Sequence, residues 1–347
     1  MTRNNPKSIP GYTWRPARRE DAGILHEMML AVNAADQTGW TDTLEERQRD
    51  FEDSSTDVEN GTRLAFTSDG RLAALAWIFA FPASDEENVA YLWWEVHPEH
   101  RGRGLGAAAL AWTEEQASLV LRTRLNRLPK ILRSGTTEGL RYRQEILESL
   151  GFEPVRSYYF MHCDLNHPLQ KPAFPTGIRL VSWDQRYELL ALQAFNASFR
   201  DHWGYHPINQ TDWELWFTRH PDFHPELSFL ALVDSPQGAH KLDERQNWEV
   251  EENPVAGFCI NFVPEETSRE RGQRVADIKE LGVRREYRRC GIGTSLLYAS
   301  LQTFQQTGYE VAQLGVDAEN TTGALRIYQR AGFQLKSCTI TYSKTVQ

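Results

Sequence analysis

One arginine-glycine phrase occurs twice in this chain, and a repeat on that scale points to two copies of one domain. The first copy reads Val96-His97-Pro98-Glu99-His100-Arg101-Gly102-Arg103-Gly104-Leu105-Gly106. The second reads Val283-Arg284-Arg285-Glu286-Tyr287-Arg288-Arg289-Cys290-Gly291-Ile292-Gly293. Each follows an apolar, strand-like run and opens a helix-like run. Glycines at such a junction let the main chain curl and approach a ligand with no Cβ in the way. The bare N–H groups of the helix start, helped by the helix dipole, then attract a phosphate, and arginines add charge-assisted bonds.

Other landmarks recur at steady shifts. Arg15 matches Arg179, Leu64-Ala65 matches Leu230-Ala231, Arg101 matches Arg288, and Gly151-Phe152 matches Gly332-Phe333. Shifts this regular mark a repeat of whole domains. Opening strands fall at residues 12–16 and 177–181, and helical periodicity covers 21–34 and 185–199. Strand pairs fall at 63–67 with 72–79 and at 228–233 with 255–262. Strands 88–96 and 275–283 lead into the two turns, and helices 106–121 and 293–307 follow. Strands 130–134 and 310–316 come next, each followed by a helix ending at Gly-Phe, and strands 158–165 and 337–343 finish the repeats. The domains are therefore expected at 1–165 and 177–347. The proline-rich, aperiodic stretch 166–176 joins them, and the polar insertion 236–253 reads as a surface loop.

Composition narrows the class. A chain of 347 residues with 40% hydrophobic residues suits two packed domains. Its net charge of −9 argues against nucleic acid or an anionic membrane as partner. No apolar run reaches membrane-span length and the start lacks a signal core, so a cytoplasmic protein is expected. Cys163, Cys259, Cys290 and Cys338 lie far apart; they read as reduced thiols, with neither a disulfide frame nor a metal site.

The arginine turn, Gly282-Val283 before it, and Asn320, Ala324, Tyr328 and Gly332-Phe333 after it resemble the GNAT acetyltransferase superfamily, once per half of the chain. The tandem arrangement, with the segments 195–204 and 220–227, is similar to mycothiol synthase and its tandem relatives. The resemblance implies an α/β (α+β) class. Each of the two tandem GNAT domains would have a mixed, mostly antiparallel central sheet flanked by helices. It also implies acetyl-CoA as cosubstrate, no metal, a small-molecule amine as acceptor, and a monomer or homodimer. Splayed strands would hold the pantetheine, with Leu281, Gly282 and Val283 offering backbone groups. Arg288, Arg289, Cys290, Gly291, Ile292, Gly293 and Thr294 would surround the pyrophosphate, and Asn320 would contact the cofactor arm. In the first copy Val96, Arg101, Gly102, Arg103, Gly104, Leu105 and Gly106 take the same places.

The copies differ around the turn. The resemblance makes Tyr328 the general acid, and Glu280 or Asp277 the base acting directly or through water. First-copy counterparts are Leu147 for Tyr328, Gly139 for Asn320, and Ala90 and Trp93 for the two acids; Glu95 remains, but opposite Gly282 and out of register. Strict alternation would put Asp277 and Glu280 on opposite faces of their strand, and a bulge would change that. The expected activity is direct acetyl transfer to a primary amine, with the second domain catalytic and the first degenerate. The alternative is a non-catalytic acyl-CoA-binding or sensor protein.

Overall fold

Two long strand segments, Leu-Ala-Ala-Leu-Ala-Trp-Ile-Phe and Val-Ala-Gly-Phe-Cys-Ile-Asn-Phe, are almost wholly buried, and each forms the middle of a sheet covered on both faces. The structure is a computed structural model describing residues 5–38, 43–84, 86–234, 254–320 and 323–346. The insertion read at 236–253 lies outside the described residues. The chain divides into two units, Met1–Tyr159 with Ser337–Gln347, and Phe160–Lys336.

The first unit runs β1 (Tyr12–Arg15), α1 (Ala22–Asp36), α2 (Leu44–Arg49), α3 (Val58–Gly61), β2 (Thr62–Thr67), β3 (Leu72–Phe79), β4 (Asn88–Val96), α4 (Leu105–Arg122), β5 (Lys130–Thr137), α5 (Arg141–Ser149) and β6 (Glu153–Asp164). Its strands lie in the order β1-β2-β3-β4-β5. The first three pairings are antiparallel and β4–β5 is parallel. Alternation along β3 builds two cores. Leu75 and Trp77 pack with Leu25, Met28 and Val32 of α1. Ala74, Ala76 and Ile78 pack with Trp94, Leu105, Ala109 and Leu110 on the α4 side.

The second unit, which begins within β6, repeats the plan with β7 (Ile178–Ser182), α6 (Glu188–Phe199), α7 (Gln210–Trp213), β8 (Phe229–Val233), β9 (Val255–Phe262), α8 (Glu265–Arg271), β10 (Val275–Val283), α9 (Ile292–Gln306), β11 (Val311–Asp317), α10 (Ala324–Arg330) and the start of β12 (Gln334–Thr345). The order is β7-β8-β9-β10-β11, with the end of β6 beside β11. Again only the β10–β11 pair among the first five strands is parallel. Phe258, Ile260 and Phe262 of β9 pack against Leu192, Phe195 and Phe199 of α6, while α9 covers the other face. The stretch 166–176 has no regular structure but is docked along α9. Ser295 Oγ donates to the Ala173 carbonyl at 2.7 Å, and Gln302 donates to that of Gln170 at 3.0 Å.

The last strand departs from the sequence reading, which finished the second repeat with it. Thr339–Thr345 pairs antiparallel with β5, and Tyr342, 3% exposed, belongs to the first unit's core and bonds Glu148 at 3.2 Å. Lys344 ion-pairs with Glu114 and donates to the Leu150 carbonyl at 2.7 Å. An alternating strand satisfies any open sheet edge, so side-chain packing selects its partner. Tyr342→Ala should therefore cost about 3–5 kcal/mol, the usual range for a large buried ring. Urea denaturation measures it; a loss near zero would mean the strand is only peripheral to that core.

Candidate active site

Both arginine-glycine phrases fold into the same turn. Gly104 and Gly291 sit at φ +85° immediately before α4 and α9, a left-handed conformation that glycine adopts without strain. Neither helix has a side-chain cap, so its first amides have no side chain competing for them. Space around Gly291 is open, with nothing within 4 Å of where a Cβ would stand.

The arginines that align between the phrases, Arg101 and Arg288, turn inward. Arg288 donates to the Val283 carbonyl at 3.1 Å, to the Ser198 carbonyl at 2.6 Å and to Asp201 at 3.1 Å. Arg101 likewise donates to the Val96 carbonyl at 3.3 Å, and it grips Asp36 through both terminal nitrogens at 2.6 and 2.9 Å. Each guanidinium thus ties its turn to the end of the unit's first long helix, and holding the loop's shape is its visible work. The next position is exposed. Arg289 takes φ +64°, where the first copy has Gly102 at φ +74°. A left-handed non-glycine residue costs roughly 1–2 kcal/mol, and such strain gathers at functional positions.

Strand β10 carries the two candidate acids. Its parallel pairing with β11 is recorded from Val275↔Val311 to Ile278↔Leu314. On its other side the register against β9 shifts between Ile278 and Glu280, leaving Lys279 as an extra residue. The bulge resets parity. Asp277 stands opposite Phe262 and Glu280 opposite Ile260, two residues on the α6 face of β9, so both acids and Gly282 share that face. A Cβ on Gly282 would come within 2.3 Å of the Phe258 ring, so only glycine fits beneath it. In the first unit β4 pairs with β3 without a shift from Tyr91 to Val96, and no acids occupy the matching places.

Both carboxyls are half-buried along the strand yet surrounded by enough protein to lose hydration. Burial pushes Asp277 up to about 6, with Lys279 pulling the other way. Burial pushes Glu280 up to about 7, Lys279 again opposes, and the neighbouring Asp277 adds to the rise. Tyr328, 7% exposed, packs edge-on against Phe333 at 5.9 Å. Burial, and then the nearby Cys259 and Glu280, raise its hydroxyl well above the ordinary tyrosine range, so the phenol stays protonated at any working pH. Under these groups, on the α9 side, Asn261 donates to the Leu227 carbonyl at 2.5 Å and to Ser300 at 2.8 Å. Ser300 lies 3.2 Å from Cys259 Sγ, and burial pushes that thiol up to about 12, so Cys259 is an inert thiol of the core.

The remaining candidates fall around the turn. Leu281 and Val283 alternate with the acids on β10, Cys290 is exposed in the loop, and Ile292, Gly293 and Thr294 form the first turn of α9. Asn320 ends the turn after β11, its amide bonded to the Asp317 carbonyl at 3.1 Å. Glu95, the acid left over in the first copy, is ion-paired with Arg143 at 2.6 Å. Sequence reading missed Asp36, Asp201 and Arg143, because their partners lie in other elements. A free anion-facing turn, splayed strands and Gly282 fit a pyrophosphate-bearing thioester in the second unit. Arg289→Gly should leave stability within about 1 kcal/mol of wild type or above it. It should weaken CoA binding and flatten its salt dependence. Thermal denaturation and calorimetry at two ionic strengths check this, and unchanged affinity would remove Arg289 from the site.

Comparison with known proteins gives the family. The Acetyltransferase (GNAT) family pattern matches residues 25–127 and 204–333. Mycothiol acetyltransferase of Thermobispora bispora is 26% identical over 292 residues, covering 82% of this chain and 84% of that protein. The Streptomyces griseus protein of the same name is 24% identical, covering 99% of each. Among solved structures, a GCN5-related N-acetyltransferase from Sphaerobacter thermophilus superposes with TM-score 0.69 at 24% identity over 98% of both chains. A tandem GNAT protein from the clavulanic acid biosynthesis pathway gives 0.65 at 15% identity, over 97% of this chain and 99% of that one. The chain belongs to the GNAT acetyltransferase family, as a tandem pair of its domains.

Proposed function

We propose that this protein transfers the acetyl group of acetyl-CoA to a primary amine of a small molecule, and that the second unit performs the chemistry. The observation that carries the reading is the bulged strand β10, which sets Asp277 and Glu280 on one face with raised proton affinities, near the protonated Tyr328. Acetyl-CoA supplies the activated thioester; the chain supplies position and proton traffic. Amides at the start of α9 and the Arg289 side chain hold the pyrophosphate. Backbone groups of Leu281 to Val283 orient the arm, with Asn320 at the far strand end. Glu280, whose affinity lies near neutrality, takes the proton from the attacking amine, with Asp277 as its neighbour and second acceptor. Tyr328 donates to the departing thiolate. The name shared by the relatives, mycothiol acetyltransferase, supports a small-molecule acceptor, and 24–26% identity carries no finer assignment.

Release of CoA thiol with a panel of amines tests the reading. Glu280→Gln should lower kcat by about 10²–10⁴-fold, the usual contribution of a positioned base, and Tyr328→Phe should lower it without weakening CoA binding. A chain that binds CoA yet releases no thiol with any amine would replace the enzyme by a non-catalytic acyl-CoA-binding protein. The pH profile gives an independent check. The base must be deprotonated, so kcat/KM should fall as pH drops below about 7, where Glu280 takes up its proton. A profile flat from pH 8 to 5 would exclude Glu280 and Asp277 as the base.

A further inference from the structure

The first unit keeps the anion turn, and what its cofactor slot contains can be read from three side chains. As in the second unit, the recorded parallel pairing of β4 with β5 stops early, at Tyr91↔Arg133. Beyond it, Arg143 of α5 reaches into the gap. Its guanidinium donates to the Trp94 carbonyl on β4 at 2.9 Å and to the Gly135 carbonyl on β5 at 3.2 Å. It also pairs with Glu95 at 2.6 Å and lies 4.1 Å from the centre of the Trp94 ring. Trp94 and Glu95 project from opposite faces of β4, and Arg143 touches both, so it stands between the strand ends. Arg143 is 4% exposed. Tyr142 seals the same place, its hydroxyl 3.2 Å from Asp36 and its ring 4.7 Å from the Arg101 guanidinium.

Among the described residues, the second unit has no such filling. Val275 pairs with Val311 as Asn88 pairs with Lys130, which fixes how the copies correspond on both strands. Carried to the Gly-Phe that ends each last helix, the same correspondence sets Gly282 in place of Glu95, Gly323 in place of Tyr142 and Ala324 in place of Arg143. All three filling side chains are reduced to glycine or alanine in the copy that carries the paired acids.

We propose that Arg143 is an internal occupant of the first unit's pantetheine slot, using the strand carbonyls an acyl-CoA arm would need, so that the chain binds one CoA and not two. This rests on the reading of the second unit as the acetyl-CoA site. Calorimetric titration of the full-length protein with CoA tests it, with thermal denaturation confirming that each variant is folded. Wild type should bind one equivalent, and Gly291→Glu should bind none. Glu95→Gly with Arg143→Ala, which gives the first slot the second unit's residues at both members of the ion pair, should restore one equivalent on the Gly291→Glu background. Two equivalents in wild type, or one surviving Gly291→Glu with Arg143 intact, would overturn the proposal. So would a folded triple variant that binds none. The reciprocal change, Ala324→Arg, should fill the second slot and abolish binding; retained binding by that folded variant would also overturn it. A wild type that binds no CoA would instead sink the functional reading, and gain of binding in Glu95→Gly/Arg143→Ala alone would still decide the plug.

Discussion

The early end of the parallel pair β10–β11 is the constraint on which the second unit's site depends. Past Ile278↔Leu314 no pairing between these strands is recorded, and the extra residue Lys279 bends β10 at that point. A bulge re-aims side chains, and this one brings Glu280 onto the face of Asp277. The early end of pairing is shared with the first unit, whose β4 has no shift there, and it leaves strand-end carbonyl and amide groups facing a gap. Backbone polar groups in a protein interior need partners, so such a gap persists only where something else supplies them. In the first unit that something is a guanidinium. In the second, on the proposed function, it is left to a ligand whose amide-bearing arm can take the same bonds.

The turn beyond the gap separates scaffold from contact. Arg101 and Arg288 make the same inward bonds in both copies, to the preceding strand and to the end of the first long helix. A feature retained by an occupied slot and an open one alike is explained by loop shape. Position 289 differs. Glycine relaxes the left-handed backbone in the first copy, whereas the second tolerates a strained arginine, which is understandable if its charge has an anion to meet.

Much of this was legible in the sequence, and what was hidden has a common cause. The strands before the turns, Asn88–Val96 and Val275–Val283, have the bounds that apolar runs and flanking turn residues suggested. Repeat shifts gave two copies of one domain, and the resemblance of the motifs gave the GNAT fold. The face of Glu280 relative to Asp277 was not decidable, because a bulge is set by the register against β9 and residues 277–283 carry no mark of it. Arg143 was invisible for a similar reason. Its acceptors are main-chain oxygens on two strands and a glutamate 48 positions away, and backbone acceptors leave no trace in side-chain identity. The last strand went to the wrong repeat because alternation specifies an edge but not whose edge it is.

The copies also divide stability from function. Glu95 and Arg143 are a buried pair whose desolvation is offset only because the guanidinium also reaches two carbonyls, and a pair of that kind resists partial removal. The second unit carries the opposite burden. Asp277 and Glu280 bind protons more tightly folded than unfolded, about 6 and 7 against ordinary carboxyl values of 3.8 and 4.5. Between those limits the folded chain holds more protons than the unfolded one, so stability declines as pH rises through that window. Burying these acids therefore destabilises the fold at neutral pH, and the same burial brings a carboxylate's basicity close to neutrality. On the proposed division of labour, a chain with one closed slot and one open slot can bear that cost, since only the unit proposed to handle protons has to keep it.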